Sequence, residues 1–122
     1  MNSFSEITRV LSLYFDTLYC CDLDKFDMVF HEKAIYATAD EAVPLFRDMS
    51  EYRRVIAKRT SPLSANEPRL DFIDSIELAG KNTARVRARC AVGSRDFVDF
   101  LTLICDNGQW RIISKIFQII DK

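Results

Sequence analysis

Apolar residues recur at helical spacing in the first part of the chain and at alternate positions in the last part, so its elements change from helix to strand. Ile7, Val10, Leu11, Tyr14 and Leu18 form one stripe, which predicts a helix over residues 3–21. Ser3 stands at a capping position, with Glu6 placed as in a capping box. Asp22 is placed to cap a short helix over 23–30, with Phe26, Val29 and Phe30 on its apolar side. Residues 34–39 and 42–46 read as short strands around the acidic turn Asp40-Glu41. A third helix is predicted over 49–58, with Tyr52, Val55 and Ile56 inward. Pro62 and Pro68 frame a loop, 60–67, that neither helix nor sheet absorbs. Four strands then follow with short turns: 69–78, 83–92, 95–106 and 109–120.

Helices first and a long meander last predict one α+β domain over residues 1–122. The expected architecture is a strongly curved antiparallel sheet, four long C-terminal strands plus two short ones, wrapped around three helices. Strands well above the usual length of about 5–6 residues must curl together, and a curled sheet presents a concave face for helices to cover.

Turn chemistry sets the register. Asn107-Gly108 is a strong hairpin signal and pairs Asp106 with Gln109, hence Leu103 with Ile112 and Asp99 with Ile116. Gly93-Ser94 pairs Val92 with Arg95, hence Cys90 with Phe97 and Ala88 with Asp99. A loop of Gly80-Lys81-Asn82, with Asn82 left-handed, pairs Leu78 with Ala84, Ile76 with Val86 and Asp74 with Ala88. A shorter loop would turn Glu77 and Ser75 onto the apolar face. The concave face is then apolar except for one row: Asp74, Ala88, Asp99 and Ile116. The other face carries Arg85, Arg87 and Arg89 beside an apolar half too large for one subunit to leave wet. Val98, Phe100, Ile113 and Phe117 of that half are expected to meet the same face of a second copy in a twofold homodimer.

Composition narrows the partners. Seventeen basic and eighteen acidic residues give a net charge of −1, which argues against nucleic acid. An apolar fraction of 48% with 29% charge is that of a globular domain. No apolar run is long enough to cross a membrane, and the opening Met-Asn-Ser-Phe-Ser-Glu lacks a secretory pattern, so no membrane or export is expected. Cys20, Cys21, Cys90 and Cys105 contain no Cys-x-x-Cys, and the chain has 1 histidine, so no metal is expected. The expectation is a reduced, cytoplasmic protein.

Several stretches resemble a known superfamily. They are Leu13-Tyr14-Phe15-Asp16-Thr17-Leu18-Tyr19, Asp22-Leu23-Asp24-Lys25-Phe26, Phe30-His31 and Ile73-Asp74-Ser75-Ile76-Glu77-Leu78. Phe97-Val98-Asp99-Phe100-Leu101-Thr102-Leu103 and Gly108-Gln109-Trp110-Arg111-Ile112-Ile113-Ser114-Lys115-Ile116-Phe117 complete the set. Together they look like the nuclear transport factor 2-like, cystatin-like superfamily, in its SnoaL-like or putative lumazine-binding bacterial branch. The resemblance implies a cone with a deep pocket between sheet and helices, and a dimer. Its enzymes include steroid isomerases, dehydratases and polyketide cyclases. Those resembling this chain work without metal, with a carboxylate in an apolar pocket and often a tyrosine of the first helix as donor. Tyr14 is similar in kind to that tyrosine, whereas His31 lies before the first strand and no second histidine exists for a dehydratase pair.

Asp99 is the leading candidate, because a carboxylate on an apolar face needs a reason. It is either a pocket base or ligand-orienting group, or a structural carboxylate satisfied by a tyrosine, an arginine (Arg47, or Arg53 or Arg54 of the third helix) or a backbone amide. Tyr14 is placed to pair with Asp99 or with a ligand oxygen. Asp74 and His31 are candidate ligand-binding groups; Tyr36, Tyr52 and Trp110 are candidate pocket wall. Two functions stay open. One is a pocket that binds a small, largely apolar molecule without cofactor; the other is a cofactor-free acid–base enzyme with Asp99 as base and Tyr14 as donor.

Overall fold

The computed structural model describes residues 2–121. Helix α1 runs Ser3–Cys20, α2 Leu23–Val29 and α3 Met49–Lys58. The strands are β1 Phe30–Thr38, β2 Leu45–Asp48, β3 Asp71–Ala79, β4 Thr83–Val92, β5 Arg95–Asp106 and β6 Gln109–Asp121. All three helices start on side-chain caps. Asp22 accepts from the Lys25 amide at 3.1 Å and Asp48 from the Glu51 amide at 2.8 Å. In α1 the cap is Asn2, which accepts from the Ser5 amide at 2.8 Å, rather than Ser3. Asn is at least as good as Ser in that position. No helix is long and apolar enough to cross a membrane.

The six strands form one sheet in the order β2-β1-β6-β5-β4-β3. It is a mixed sheet, not an antiparallel one, because β1 and β6 run parallel. The first strand is thereby joined to the last, and everything between them serves as the long crossover that parallel neighbours require. The hairpin turns follow their chemistry: Asn107 and Gly108 both have positive φ, 54° and 74°, as a type I′ turn demands. In the first hairpin it is Gly80, not Asn82, that is left-handed, at φ 69°.

Two bulges change which side chains face inward. In β6, Leu103 pairs with Ile112 but Thr102 pairs with Ser114, so Ile113 is an extra residue. Every later side chain is flipped, and Asp99 lies opposite Phe117 rather than Ile116. Lys115 and Phe117 therefore enter the core, while Ile116 lies outside. In β3, Ile73 pairs with Ala88 and Ser75 with Arg87, so Asp74 is the extra residue. Its carboxylate takes the Arg89 Nε at 2.9 Å and the Arg87 Nε at 3.3 Å, in the arginine row of the outer face. The expected row of two inward aspartates is thus not formed. The outer face offers Asp74 two guanidiniums, and the inner face would have left it buried among Val86, Ala88 and Cys90.

The core lies between the concave face and the helices. Ile7, Leu11, Tyr14 and Leu18 of α1, Phe26 and Val29 of α2, and Tyr52 and Ile56 of α3 cover Val86, Ala88, Leu101, Leu103, Ile112 and Phe117. On the outer face the register aligns Phe46, Ala37, Ile116 and Phe100 in one row across four strands. Of the expected dimer residues, Val98 and Phe100 lie on this face, Ile113 sits half-buried in the bulge, and Phe117 is in the core.

The bulge gives a direct test. Deleting Ile113 would turn Lys115 and Phe117 outward and bring Ile116 against Asp99. It is expected to cost at least about 3 kcal/mol in urea denaturation, since it separates buried groups that compensate one another. A loss below about 1 kcal/mol would show that the bulge does not set the inner face.

Candidate functional site

Tyr14 sits on the middle of α1, on the stripe that faces the sheet, and it is fully buried. Its hydroxyl donates to Asp99 Oδ2 at 2.5 Å. Asp99 is itself 0% exposed. Cys90, beside it on β4, places Sγ 3.9 Å from the same oxygen. Asp99 Oδ1 is the one sealed side-chain polar atom without a hydrogen-bond partner among the described residues. Such a group bears a desolvation cost of about 1–3 kcal/mol, more when charged.

The compensating charge comes from Lys115. The bulge in β6 places it opposite Leu101, on the diagonal from Asp99 and on the same face. Lys115 is 5% exposed and donates to Tyr52 Oη at 3.1 Å. Its Nζ lies 5.1 Å from the ring centre of Tyr14, 5.3 Å from those of Tyr52 and Phe117, and 5.9 Å from that of Tyr36. Four π-faces thus surround one ammonium, each contributing attraction that water would otherwise screen. Tyr36 packs on Tyr52 with ring centres 4.4 Å apart, so the cage is closed side to side.

Burial and charge act on the titrating groups in opposite senses. Burial, the largest single influence, would lower the Lys115 pKa, but the Asp99 charge together with Tyr52, Cys90 and Tyr36 more than offsets it and holds the ammonium protonated above its usual range. Burial first, and then the Asp99 charge, raises Tyr14 well above an ordinary tyrosine. The same two causes push the Cys90 thiol up to about 12, so it is an inert neighbour rather than a nucleophile. Tyr14 thus stays neutral and spends its one proton on Asp99. The donor with hydrogens to spare is Lys115, whose three N–H groups meet one protein acceptor.

A small cavity of about 20 Å³ adjoins the cluster. Tyr36, Tyr52, Lys115, Phe117, Cys90 and Leu18 line it, and the less buried Arg59, Val92 and Phe97 form its rim. That volume admits a single water. The pocket is therefore closed by its own side chains.

The structure brings together four of the expected site residues: Asp99, Tyr14, Tyr36 and Tyr52. Asp74 is on the far side of the sheet. His31 opens β1, where Nε2 lies 3.2 Å from Asp106 Oδ2 and Nδ1 accepts from the Lys33 amide at 3.0 Å. Trp110 is buried near the Asn107-Gly108 turn, opposite Cys105 as expected. The arginines considered for Asp99 are occupied elsewhere, Arg47 near the Tyr36 hydroxyl, Arg53 with Asp27 and Arg54 with Ser50. Lys115 is the residue that sequence reasoning missed. Its signal, a charge inside Ile-Ile-Ser-Lys-Ile-Phe, was as plain as that of Asp99. No group of three His, Cys, Asp or Glu among the described residues could hold a metal.

This cone, a curved sheet closed by three helices over a buried polar cluster, is the NTF2-like, cystatin-like fold. The chain belongs to the family described as "Putative lumazine-binding", which it matches over residues 2–118. Its fold is similar to that of an NTF-2 like protein of unknown function from Silicibacter pomeroyi, at TM-score 0.85 and 21% identity, covering 96% of this chain and 95% of that one. It is equally similar to an NTF2-like protein of unknown function from Shewanella baltica, at TM-score 0.85 and 22% identity, covering 98% and 94%. A cystatin-like fold protein from Burkholderia xenovorans matches at TM-score 0.73 and 11% identity, covering 97% and 92%. No curated protein matches the chain in sequence.

The cluster can be tested as a unit. Lys115→Met leaves Asp99 buried without its counter-charge and is expected to cost about 3–5 kcal/mol. Adding Asp99→Asn should restore at least about half of that loss, measured by chemical denaturation as a double-mutant cycle. Strict additivity of the two substitutions would show that the charges do not support each other.

Proposed function

We propose that the chain is a small-molecule-binding domain whose inner pocket centres on Asp99 and Lys115. The observation that carries this reading is the unpartnered, fully buried Asp99 Oδ1, with Lys115, an ammonium with donors to spare, on the same face of the neighbouring strand. A ligand that offers a donor next to an acceptor, on an otherwise apolar planar body, would satisfy both groups at once. The aromatic walls Tyr36, Tyr52 and Phe117 suit such a body. Lumazine, the ligand named in the family description, has this character, since its ring N–H groups alternate with carbonyls. Occupancy requires the rim side chains Phe97 and Arg59 to turn outward, because the closed cavity is water-sized. Binding is favoured over acid–base catalysis because the Tyr14 proton, which a substrate oxygen would need, is engaged by Asp99. The four cysteines are free thiols, which fits a reduced, cytoplasmic setting.

Calorimetric titration with lumazine tests this. Saturable binding is expected, weakened at least about tenfold in the isosteric Asp99→Asn variant. No saturable heat at the solubility limit, or equal binding by the variant, would sink the reading.

The same proposal includes a homodimer through the outer sheet face. Phe46 is 77% exposed and Phe100 58%, and with Ile116 they continue one apolar row that ends at the arginine rim. Sedimentation at micromolar concentration should give about twice the 14.1 kDa of the chain, and Phe100→Glu should halve it. A parent protein that sediments as one chain would refute the dimer.

A further inference from the structure

A second, larger cavity lies away from the Asp99 cluster. It opens between the N-terminal half of α1, the end of α2 and the Gly108–Arg111 end of β6, with a volume of about 550 Å³. That is the size of an ordinary small-molecule site, and the inner cluster contributes no residue to its lining.

Trp110 gives this cleft its chemistry. It is the chain's sole tryptophan and is 5% exposed. Among the described residues its indole N–H has no acceptor, although a buried tryptophan normally finds one. It is also not a sealed atom, since Asp99 Oδ1 alone holds that position among the described residues. The N–H is therefore not sealed from solvent, and Trp110 itself lines the cleft.

The cleft lining carries two guanidiniums and two carboxylates. Among the described residues Arg9 has no ion pair, and the Arg111 side chain is hydrogen-bonded only to the neutral Gln109 side chain. Of the two carboxylates, Asp27 is held by Arg53 through contacts of 2.8 and 3.0 Å. With Asp27 held by Arg53, Glu6 is the remaining lining carboxylate facing the two guanidiniums Arg9 and Arg111. Leu13 and the 49% exposed Met28 supply an apolar wall.

We propose that this cleft is a binding site for a small amphipathic carboxylate. Its carboxylate meets Arg9, Arg111 and the Trp110 N–H, and its apolar body lies on Met28 and Leu13. Guanidinium donors suit a carboxylate because they present paired N–H groups to its two oxygens. The site is independent of the Asp99 pocket.

Because the chain has 1 tryptophan, one indole resonance reports the site. The full chain is titrated with 4-phenylbutyrate and, separately, with the uncharged 4-phenylbutyramide, while the Trp110 indole N–H is followed by NMR. The acid is expected to move that resonance saturably and to bind at least about tenfold more tightly than the amide. Arg9→Gln with Arg111→Gln, two substitutions at side chains outside the core, should abolish the difference; Asp99→Asn should leave it intact. An indole resonance that stays fixed at millimolar acid would overturn the proposal. So would equal affinity for acid and amide, or a preference that survives the double arginine variant.

Discussion

The rest of the structure depends on two opposite charges held out of water, Asp99 on β5 and Lys115 on β6. Neither would be tolerated alone, since an isolated buried charge costs several kcal/mol. Together they organise the inner end of the cone. Tyr14 is drawn onto Asp99 from α1, Tyr52 onto Lys115 from α3, and the aromatic rings of two helices and two strands close around the ammonium. Apolar packing alone would hold helices on a sheet in many orientations. The polar contacts select one, because shifting a helix by a turn would strand a buried hydroxyl or charge.

Bulges make that pair possible. A regular β6 would have shown Lys115 to solvent and buried Ile116, a cheaper core with no chemistry in it. The extra residue Ile113 exchanges the two faces for the second half of the strand. The bulge at Asp74 works in the opposite sense, lifting a carboxylate out of the concave face onto Arg87 and Arg89. The net result is one inward anion with one inward cation, where a regular sheet would have carried two anions and none.

The cone has two distinct regions of chemistry. At one, unpartnered polarity is sealed: Asp99 Oδ1 is buried without a partner among the described residues, near a water-sized space bounded by Lys115 and aromatic rings. At the other, around the Asn107-Gly108 hairpin, polarity is open: Trp110 and the guanidinium residues Arg9 and Arg111 line a broad cleft. The first must reorganise to admit a molecule, and reorganisation draws on binding energy. The second is already formed.

Much of this was legible in the residues. The α1 stripe, the Asp22 cap, the Asn107-Gly108 turn and the pairing of Ala88 with Asp99 are local or nearly local, set by periodicity and turn geometry. Asp99 and Tyr14 were visible as polar groups on apolar faces, and their contact follows from the helix lying over the sheet. The bulges were not legible. From Ile112 to Ile120 both alternating phases of β6 are largely apolar, so the pattern is satisfied whichever set points inward. Likewise, nothing local says that β1 runs parallel to β6, because that pairing joins residues far apart in the chain. By itself the sequence determined the order of the elements, most of their turns and, while it also turned Asp74 inward, the inward place of Asp99. Only the tertiary structure decided what that carboxylate meets, because the choice between two apolar faces rests on where the opposite charge finds its partners.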